Sequence, residues 1–259
     1  MPVIRDHAVI LARIDYSETS QIISAFTRNH GKVRAIAKGV KRGTKTRFAA
    51  GIDLLDIAEI VVTSREERPA GLATLTEWKQ SRGFLGLREK LFRLYGAQYV
   101  AEIANALTED WDPHEGLYDD LLDALSHLDM ADEPFKPVVR FQITLLHSIG
   151  SMPRFDTCAT CGRAGELTHF SSFDGGTICR HCEPVQVEKR AISNSTVEMV
   201  LRLHGTLVSR EVEKSGAAAE SNLIGPFDIL DYHISHLMGR APVMAAKLLS
   251  PDRRRAAQQ

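Results

Sequence analysis

Residues 21–38 read QIISAFTRNHGKVRAIAK and carry the pattern of two β-strands joined by a tight turn. The first strand is rich in β-branched and apolar side chains, and Asn29-His30-Gly31 has the composition of a turn. In the second strand, small apolar residues alternate with an outward set made of Lys32, Arg34, Ile36 and Lys38. A period of two places the two sets on opposite faces. The stretch therefore predicts a β-hairpin whose outer surface is basic.

Further predicted strands on both sides of this hairpin complete a small β-domain. One strand precedes it, with an apolar inner face made of Ala8, Ile10, Ala12 and Ile14. Residues 53–63 form a β-branched run, and residues 72–78 form a closing strand. Five short strands with glycine-containing turns predict a barrel or a sandwich, and an OB-fold is the candidate for a barrel with a basic face.

Beyond residue 80 the apolar residues recur with the period of an α-helix. Stripes beginning near Leu87, Leu117 and Pro137 predict three helices, the last of which stops at Gly150. Two more helices are predicted after residue 190, and His204 on the first of them is interpreted as a packed core residue. The chain is thus predicted to be α+β, with an OB-fold nucleic-acid-binding domain (1–80), a helical domain in two parts (81–150 and 191–259, the second with a basic tail) and a zinc module between them (151–190).

Charge is strongly segregated along the chain, although the formal net charge is only −1. Residues 19–52 contain no acidic residue, and residues 94–135 contain no Lys or Arg but many carboxylates. The eight basic residues of the first segment are the predicted DNA-contact residues: Arg28, Lys32, Arg34, Lys38, Lys41, Arg42, Lys45 and Arg47. A concentrated basic surface is typical of a phosphate binder, and a solvated loop is the alternative. The acidic segment fits a solvated helix face, or a surface that repels nucleic acid or docks a basic partner.

The four cysteines of the chain lie together as Cys158-x2-Cys161 and Cys179-x2-Cys182. Two intervening residues let both thiolates of each pair reach one metal ion, and four thiolates close a tetrahedral zinc site with no open position for substrate. The alternatives are two disulfides or vestigial ligands, which a reducing cytoplasm disfavours. We therefore predict one structural zinc ion, with His169 and His181 as bystanders.

The sequence does not favour an enzyme or a membrane protein. It contains no GxxxxGK[ST], GxSxG or HExxH motif, and no pair of carboxylates stands out as an acid and a base. The apolar run of residues 7–14 is short for a secretion signal, and no stretch approaches the length of a membrane span. We expect a cytoplasmic protein that is not an enzyme.

Several stretches resemble the recombination mediator family RecO. They are the DYSETS run at 15–20, the FTRNHGKV run at 26–33, the AKGVKR run at 37–42 and the LDYHISHLMGR run at 230–240. The cysteine quartet matches the zinc-binding members of that family, and the resemblance covers nearly the whole chain.

This resemblance implies a bacterial, nucleoid-associated protein that takes part in DNA repair and recombination. It implies binding of single- and double-stranded DNA, annealing of complementary strands, and contact with RecR and with single-stranded DNA-binding protein, so that RecA is loaded indirectly. It places neither protein-partner surface on particular residues.

The residues themselves suggest how nucleic acid is held. Single-strand binders usually line a basic groove with stacking aromatic residues, but the acid-free segment offers only Phe26 and Phe48. We therefore expect phosphate contacts to dominate over base stacking. A zinc-bearing OB-fold protein that binds RNA is one alternative, and an adaptor whose basic face binds an acidic peptide is another.

Overall fold

A computed structural model describes residues 2–40, 51–64, 71–81, 83–209 and 222–249. The chain divides into two compact units, residues 1–130 and residues 131–259. The first unit contains a barrel followed by two helices, and the second contains helices and a small three-stranded sheet. The mixed α+β class predicted from the sequence is confirmed, whereas the four-part division into domains stays a prediction.

Five strands close the barrel: β1 (Val3–Asp15), β2 (Gln21–Thr27), β3 (Gly31–Ala37), β4 (Ile57–Thr63) and β5 (Ala73–Gln80). Their order around the barrel is β1-β2-β3-β5-β4, and β4 pairs with β1 to complete the circle. Neighbouring strands are antiparallel except β3 and β5, which run parallel. This arrangement is the predicted OB-fold barrel.

The hairpin of β2 and β3 has the predicted facing. Val33, Ala35 and Ala37 are fully buried inside the barrel, whereas Arg34 and Lys38 are exposed on its outer surface. Small side chains suit the interior because a five-stranded barrel is narrow.

A buried carboxylate holds the turn between β2 and β3. Asp6 on β1 accepts hydrogen bonds from the backbone N–H of Asn29 (2.9 Å) and from the Asn29 side-chain amide (2.9 Å), and its Oδ2 lies 2.7 Å from Nδ1 of His30. Gly31 follows with a φ of +67°, a conformation that glycine adopts at no steric cost. The sequence therefore predicted the turn from its own residues, but the structure shows that Asp6, on a different strand, also stabilises it.

Two facing predictions for β1 are wrong. Ala12 and Ile14 were expected inside the barrel, but Ala12 is only partly buried and 66% of the surface of Ile14 is exposed. Ile10 pairs with Ala25 and Ala12 pairs with Ser24, so one extra β1 residue is inserted between these pairs. A β-bulge of this kind reverses the facing of every residue beyond it, because side chains alternate with a period of two.

Two helices complete the first unit, α1 (Leu91–Leu107) and α2 (Leu117–Met130). The helix expected to begin near Leu87 begins later, because Lys90 has an extended backbone and Leu87 lies in a short 3-10 turn, Gly86–Arg88. Helix α1 packs against β1, and the segment between α1 and α2 places Trp111 among the core residues of the barrel.

The second unit contains α3 (Phe135–Ser148), α4 (Asn194–Ser209), α5 (Ile224–Met238) and a short α6 (Ala245–Leu248). Between α3 and α4 lie β6 (Leu167–Ser171), β7 (Gly176–Cys179) and β8 (Arg190–Ala191), in the sheet order β7-β6-β8. Helix α3 packs against α4 and α5. None of the helices seen in the described ranges is long and apolar enough to cross a membrane.

Candidate metal centre and nucleic-acid interface

The four cysteines converge on one point, as their spacing predicted. All four Sγ atoms lie within 4.8 Å of one another, and the Sγ atoms of Cys161 and Cys179 are 3.9 Å apart. Four thiolates around a zinc ion with Zn–S bonds of about 2.3 Å are about 3.8 Å apart along each tetrahedron edge. The cluster therefore has the dimensions of a four-thiolate metal site.

The hairpin of β6 and β7 brings the two cysteine pairs together. Cys158 and Cys161 lie in the turn before β6, Cys179 is the last residue of β7, and Cys182 precedes a 3-10 turn. The backbone N–H of Cys179 points to the Sγ of Cys158 at 3.3 Å, and Gly162 closes the first turn with a φ of +74°. Local backbone geometry thus sets the positions of the ligands.

The surroundings of Cys158 favour its thiolate form. Burial raises the pKa of the Cys158 thiol, but hydrogen bonds from the backbone N–H groups of Cys179, Cys161 and Thr160 outweigh burial and lower it. A thiolate is the form that binds a metal. Three of the four cysteines are buried, so the cluster is suited to structure rather than to substrate access.

Helix α5 supports the cysteine hairpin through polar contacts that sequence reasoning did not find. Glu188 accepts hydrogen bonds from the hydroxyl of Ser171 (2.9 Å) and the backbone N–H of Phe173 (3.0 Å), and the hydroxyl of Tyr232 on α5 also donates to it. The only signal in the sequence was the resemblance of residues 230–240 to the family's final helix. These contacts give the hydroxyl of Tyr232 a partner in Glu188, which also binds the hairpin.

His233 on α5 is the second support of the hairpin. Its Nδ1 lies 2.8 Å from the hydroxyl of Ser172, and its Nε2 lies 3.0 Å from the carbonyl oxygen of Ser151. A carbonyl only accepts, so Nε2 carries the proton and Nδ1 accepts from the serine. Burial lowers the pKa of His233, which keeps the ring neutral.

This buried histidine predicts a loss of stability in mild acid. Because the pKa of His233 is lower in the folded state than in the unfolded state, its contribution is complete above about pH 6.5 and is lost as the pH falls through the folded pKa. We expect the Tm to fall between pH 7.5 and pH 5, and the His233→Gln variant to lose part of that dependence. Thermal unfolding at each pH measures this. His127→Gln, at an exposed histidine, should keep the wild-type profile, and an identical profile for both variants would contradict the assignment.

His204, interpreted as a core histidine, is half-buried on α4 beside a second histidine. Its Nε2 lies 3.3 Å from Nδ1 of His147 on α3. Burial, followed by the charge of His147, lowers the pKa of His204. The residue therefore packs against α3 without being fully enclosed.

The structure describes four of the eight predicted DNA-contact residues, and it gives Arg28 an acidic partner. Arg28, in the turn after β2, forms an ion pair with Asp119 on α2, and its guanidinium lies 5.4 Å from the ring centroid of Tyr118. Both members of the ion pair are about half exposed. The charge of Arg28 is therefore shared with a carboxylate.

Lys32 and Arg34 on β3 also contact the acidic segment. The Nζ of Lys32 donates to the carbonyl oxygens of Asn105 (2.8 Å) and Thr108 (2.5 Å), at the C-terminal end of α1, and only 12% of its side chain is exposed. A cation at this position stabilises the last carbonyls of a helix. Arg34 forms an ion pair with Asp110, whose carboxylate also lies 3.5 Å from Lys32. The acidic segment thus has a basic partner within the same unit.

Lys38 differs from these three residues. It is exposed just beyond β3, and within the ranges that the structure describes no carboxylate lies within ion-pair distance of it. The remaining predicted residues, Lys41, Arg42, Lys45 and Arg47, lie outside the described residues. All eight positions stay a prediction as DNA contacts.

A backbone contact fixes the acidic segment on β3. The N–H of Trp111 donates to the carbonyl oxygen of Lys32 at 2.8 Å, and the indole of Trp111 is buried in the barrel core. The segment passes so close to Gly31 that an added Cβ would lie 2.1 Å from the carbonyl oxygen of Asp112. A glycine is therefore needed at this position for two reasons: a side chain would clash with the backbone of Asp112, and the positive φ angle disfavours other residues.

The fold and the site together define an OB-fold protein with a basic hairpin and a cluster of four cysteines that could hold a metal ion. Comparison with known sequences gives the family. The family model "Recombination protein O N terminal" matches residues 1–84, and "Recombination protein O C terminal" matches residues 88–243. The chain belongs to the recombination protein O family.

Individual relatives agree with the family models. The chain is 34% identical over 183 residues to the DNA repair protein RecO of Rhodopirellula baltica, which covers 69% of this chain and 67% of the relative. It is 33% identical over 214 residues to RecO of Anaeromyxobacter dehalogenans, which covers 82% and 83% respectively. It is 30% identical over 174 residues to RecO of Bacillus subtilis, which covers 67% and 66%. The named members of the family are thus DNA repair proteins.

Proposed function

We propose that the protein is a recombination mediator that binds single- and double-stranded DNA through phosphate contacts and anneals complementary strands. We further propose that it acts with RecR to load RecA onto DNA coated with single-stranded DNA-binding protein, at the bacterial nucleoid and without a catalytic step of its own. The observation that carries the proposal is an OB-fold barrel whose basic hairpin retains an exposed cation, Lys38, with no carboxylate at ion-pair distance among the residues that the structure describes. Membership of a family of DNA repair proteins supports it.

We propose that the metal of the cysteine cluster is zinc. Four sulfur atoms within 4.8 Å of one another fit zinc, and a set of four thiolate ligands leaves no position open for a water or a substrate. The ion would hold the turns at Cys158 and Cys179 together and contribute to folding.

The contacts of the basic residues suggest an order of importance for phosphate binding. Lys32 is engaged with the end of α1, and Arg28 and Arg34 share their charge with carboxylates. We therefore propose that Lys38 and the cations that follow it in sequence, Lys41, Arg42, Lys45 and Arg47, make the strongest phosphate contacts. Four to six such contacts give a slope of log affinity against log salt of about −3 to −5.

Replacement of Lys38 tests this interface. Lys38→Glu is expected to weaken binding to all DNA sequences about equally and to make the salt slope shallower by about one, because one phosphate contact is lost. Fluorescence anisotropy at several salt concentrations measures both quantities. Lys79→Glu is the control, since Lys79 is an 83% exposed lysine on β5 of the same barrel and its Nζ already lies 3.7 Å from the carboxylate of Glu59. A wild-type slope near zero, or a sequence-dependent loss, would contradict phosphate binding.

Strand annealing tests the proposed function as a whole. Wild-type protein is expected to anneal complementary strands that are saturated with single-stranded DNA-binding protein, and added RecR is expected to stimulate RecA loading on such strands. Lys38→Glu should slow annealing in proportion to its loss of affinity. Equal competition by RNA of the same length, with no annealing of DNA, would favour an RNA-binding protein instead.

A further inference from the structure

The outer face of β1, β2 and β3 is divided into a covered half and an open half. In the covered half, Ala12, Ser24 and Arg34 lie in one row across the three strands. The hydroxyl of Ser24 donates to the side-chain carbonyl of Asn105 at 2.6 Å, and Arg34 pairs with Asp110. The end of α1 and the acidic segment therefore cover this half.

The open half begins with the next row of the sheet. Ile14, Ile22 and Ile36 are paired across β1, β2 and β3, and none of them is fully buried. Opposite residues on one face of a sheet lie about 5 Å apart, so the three side chains form a continuous apolar strip. Ile14 reaches the outer face because of the β-bulge between Ile10 and Ala12.

Tyr16 and Lys38 border this strip at opposite sides. The backbone N–H of Tyr16 donates to the carbonyl oxygen of Ser20 at 3.0 Å, and Lys38 follows Ala37, which pairs with Gln21. Tyr16 and Lys38 are therefore about two strand spacings apart, or roughly 10 Å. The side chain of Tyr16 is exposed to 65%, directly after the end of the strand that carries Ile14.

Hydrogen bonds brace the loop that carries Tyr16. The hydroxyl of Ser17 accepts hydrogen bonds from the backbone N–H groups of Ser20 (3.1 Å) and Thr19 (3.4 Å). Gln21 donates to the carboxylate of Asp15 at 3.0 Å. An exposed aromatic ring on a fixed loop loses little entropy when a ligand packs on it.

The charges that border the strip differ between its two sides. Lys38 lies on the β3 side, next to an Arg34 that is paired with Asp110, whereas Asp15 and Glu18 lie on the side of the β1–β2 loop. A polyanion whose apolar groups project to one side fits this arrangement, with its phosphates along β3 and its flat rings towards Tyr16. A single strand of nucleic acid has that chemistry, whereas a duplex keeps the faces of its bases inside.

We propose that Tyr16 and the Ile14–Ile22–Ile36 strip form a stacking platform for the bases of single-stranded DNA, with the phosphates held on the Lys38 side. This inference rests on the proposed DNA binding and adds a source of single-strand preference to it. Stacking engages the faces of the bases and leaves their pairing edges free, so the platform is compatible with annealing. The sequence analysis did not predict this platform, because it considered aromatic residues only within the acid-free segment, residues 19–52, and Tyr16 lies just before that segment.

Replacement of Tyr16 tests the platform. Tyr16→Ala is expected to weaken binding of single-stranded oligo(dT) by about 5- to 100-fold, since stacking on an aromatic residue contributes about 1–3 kcal/mol per base. Duplex affinity and the salt slope should stay at their wild-type values, because no phosphate contact is removed. Tyr16→Phe and Tyr16→Trp should retain single-strand binding. Phe173→Ala is the matched control, because Phe173 is an 89% exposed aromatic residue in the second unit.

An abasic strand of the same length sharpens the test, because it keeps the phosphates and removes the bases. Wild-type protein should bind the abasic strand more weakly than oligo(dT), and Tyr16→Ala should cause no further loss on it. Equal losses on single strands and duplexes, or no loss at all, would overturn the platform alone. A wild-type protein that binds no DNA would overturn the proposed function and the platform with it.

Discussion

The Cys158→Ser variant is expected to lose its metal ion and the packing of the second unit with it. Wild-type protein should carry about one zinc ion per chain. Structural zinc sites contribute apparent binding free energies of about 10–16 kcal/mol in small zinc domains, so we expect the loss to exceed about 4 kcal/mol here. Cys158 is fully buried, and the hairpin that its cluster holds also packs against α5 through His233. Elemental analysis and thermal unfolding, each with and without a chelator, measure the two effects.

A histidine beside the cluster provides the matched control for this replacement. His181 is exposed and adjacent in sequence to Cys182, but the sulfur atoms already supply four ligands. His181→Ala should keep one metal ion per chain and a Tm close to that of the wild type. A wild-type protein that is fully folded without metal would refute the structural role of the cluster.

The second large effect is expected from Gly31→Ala, which should displace the acidic segment from the barrel. A methyl group at this position would lie 2.1 Å from the carbonyl oxygen of Asp112, so the segment has to move and carry Trp111 with it. The clash and the unfavourable positive φ together should cost about 2–5 kcal/mol. Urea denaturation measures the loss, and a red shift of tryptophan fluorescence is expected because Trp111 is one of the two tryptophans that pack in or against the barrel core.

Gly39→Ala separates the two contributions. Gly39 has a φ of +76°, but no atom lies within 4 Å of the position of an added Cβ. This variant should therefore lose only about 1 kcal/mol, from backbone strain alone, and should keep the wild-type fluorescence spectrum. Equal losses for the two variants would show that the contact with Asp112 contributes nothing.

The cysteine cluster and the basic hairpin could be predicted because their signals are local. Two residues between ligands bring both thiolates of a pair to one metal, whatever the rest of the fold does. Alternation along β3 likewise places Val33 inside and Arg34 outside without reference to other elements. The same reasoning failed for Ile14. A single inserted residue moves the later side chains of β1 to the opposite face, and the sequence pattern before the insertion does not indicate it.

The partners of the charged residues could not be predicted in the same way. Arg28 and Asp119 are 91 residues apart in the chain, and Arg34 and Asp110 are 76 residues apart. The charge pattern of the sequence shows that a basic segment and an acidic segment exist. Only the fold shows that the chain, after α1, passes back along the barrel and places the acidic segment against the basic one. The supporting contacts of His233 are equally distant, since its partner Ser151 lies 82 residues away.

The amino-acid sequence by itself determined the family, the α+β class, the basic hairpin and the clustering of the four cysteines, because periodicity and cysteine spacing are properties of short stretches. The tertiary structure decided which of the cations in the described residues are paired, and it aligned Ile14, Ile22 and Ile36 from three different strands in one row. The physical reason is that strand register, a β-bulge and the packing of α1 on the barrel bring distant residues together. No local pattern in the chain encodes those distances.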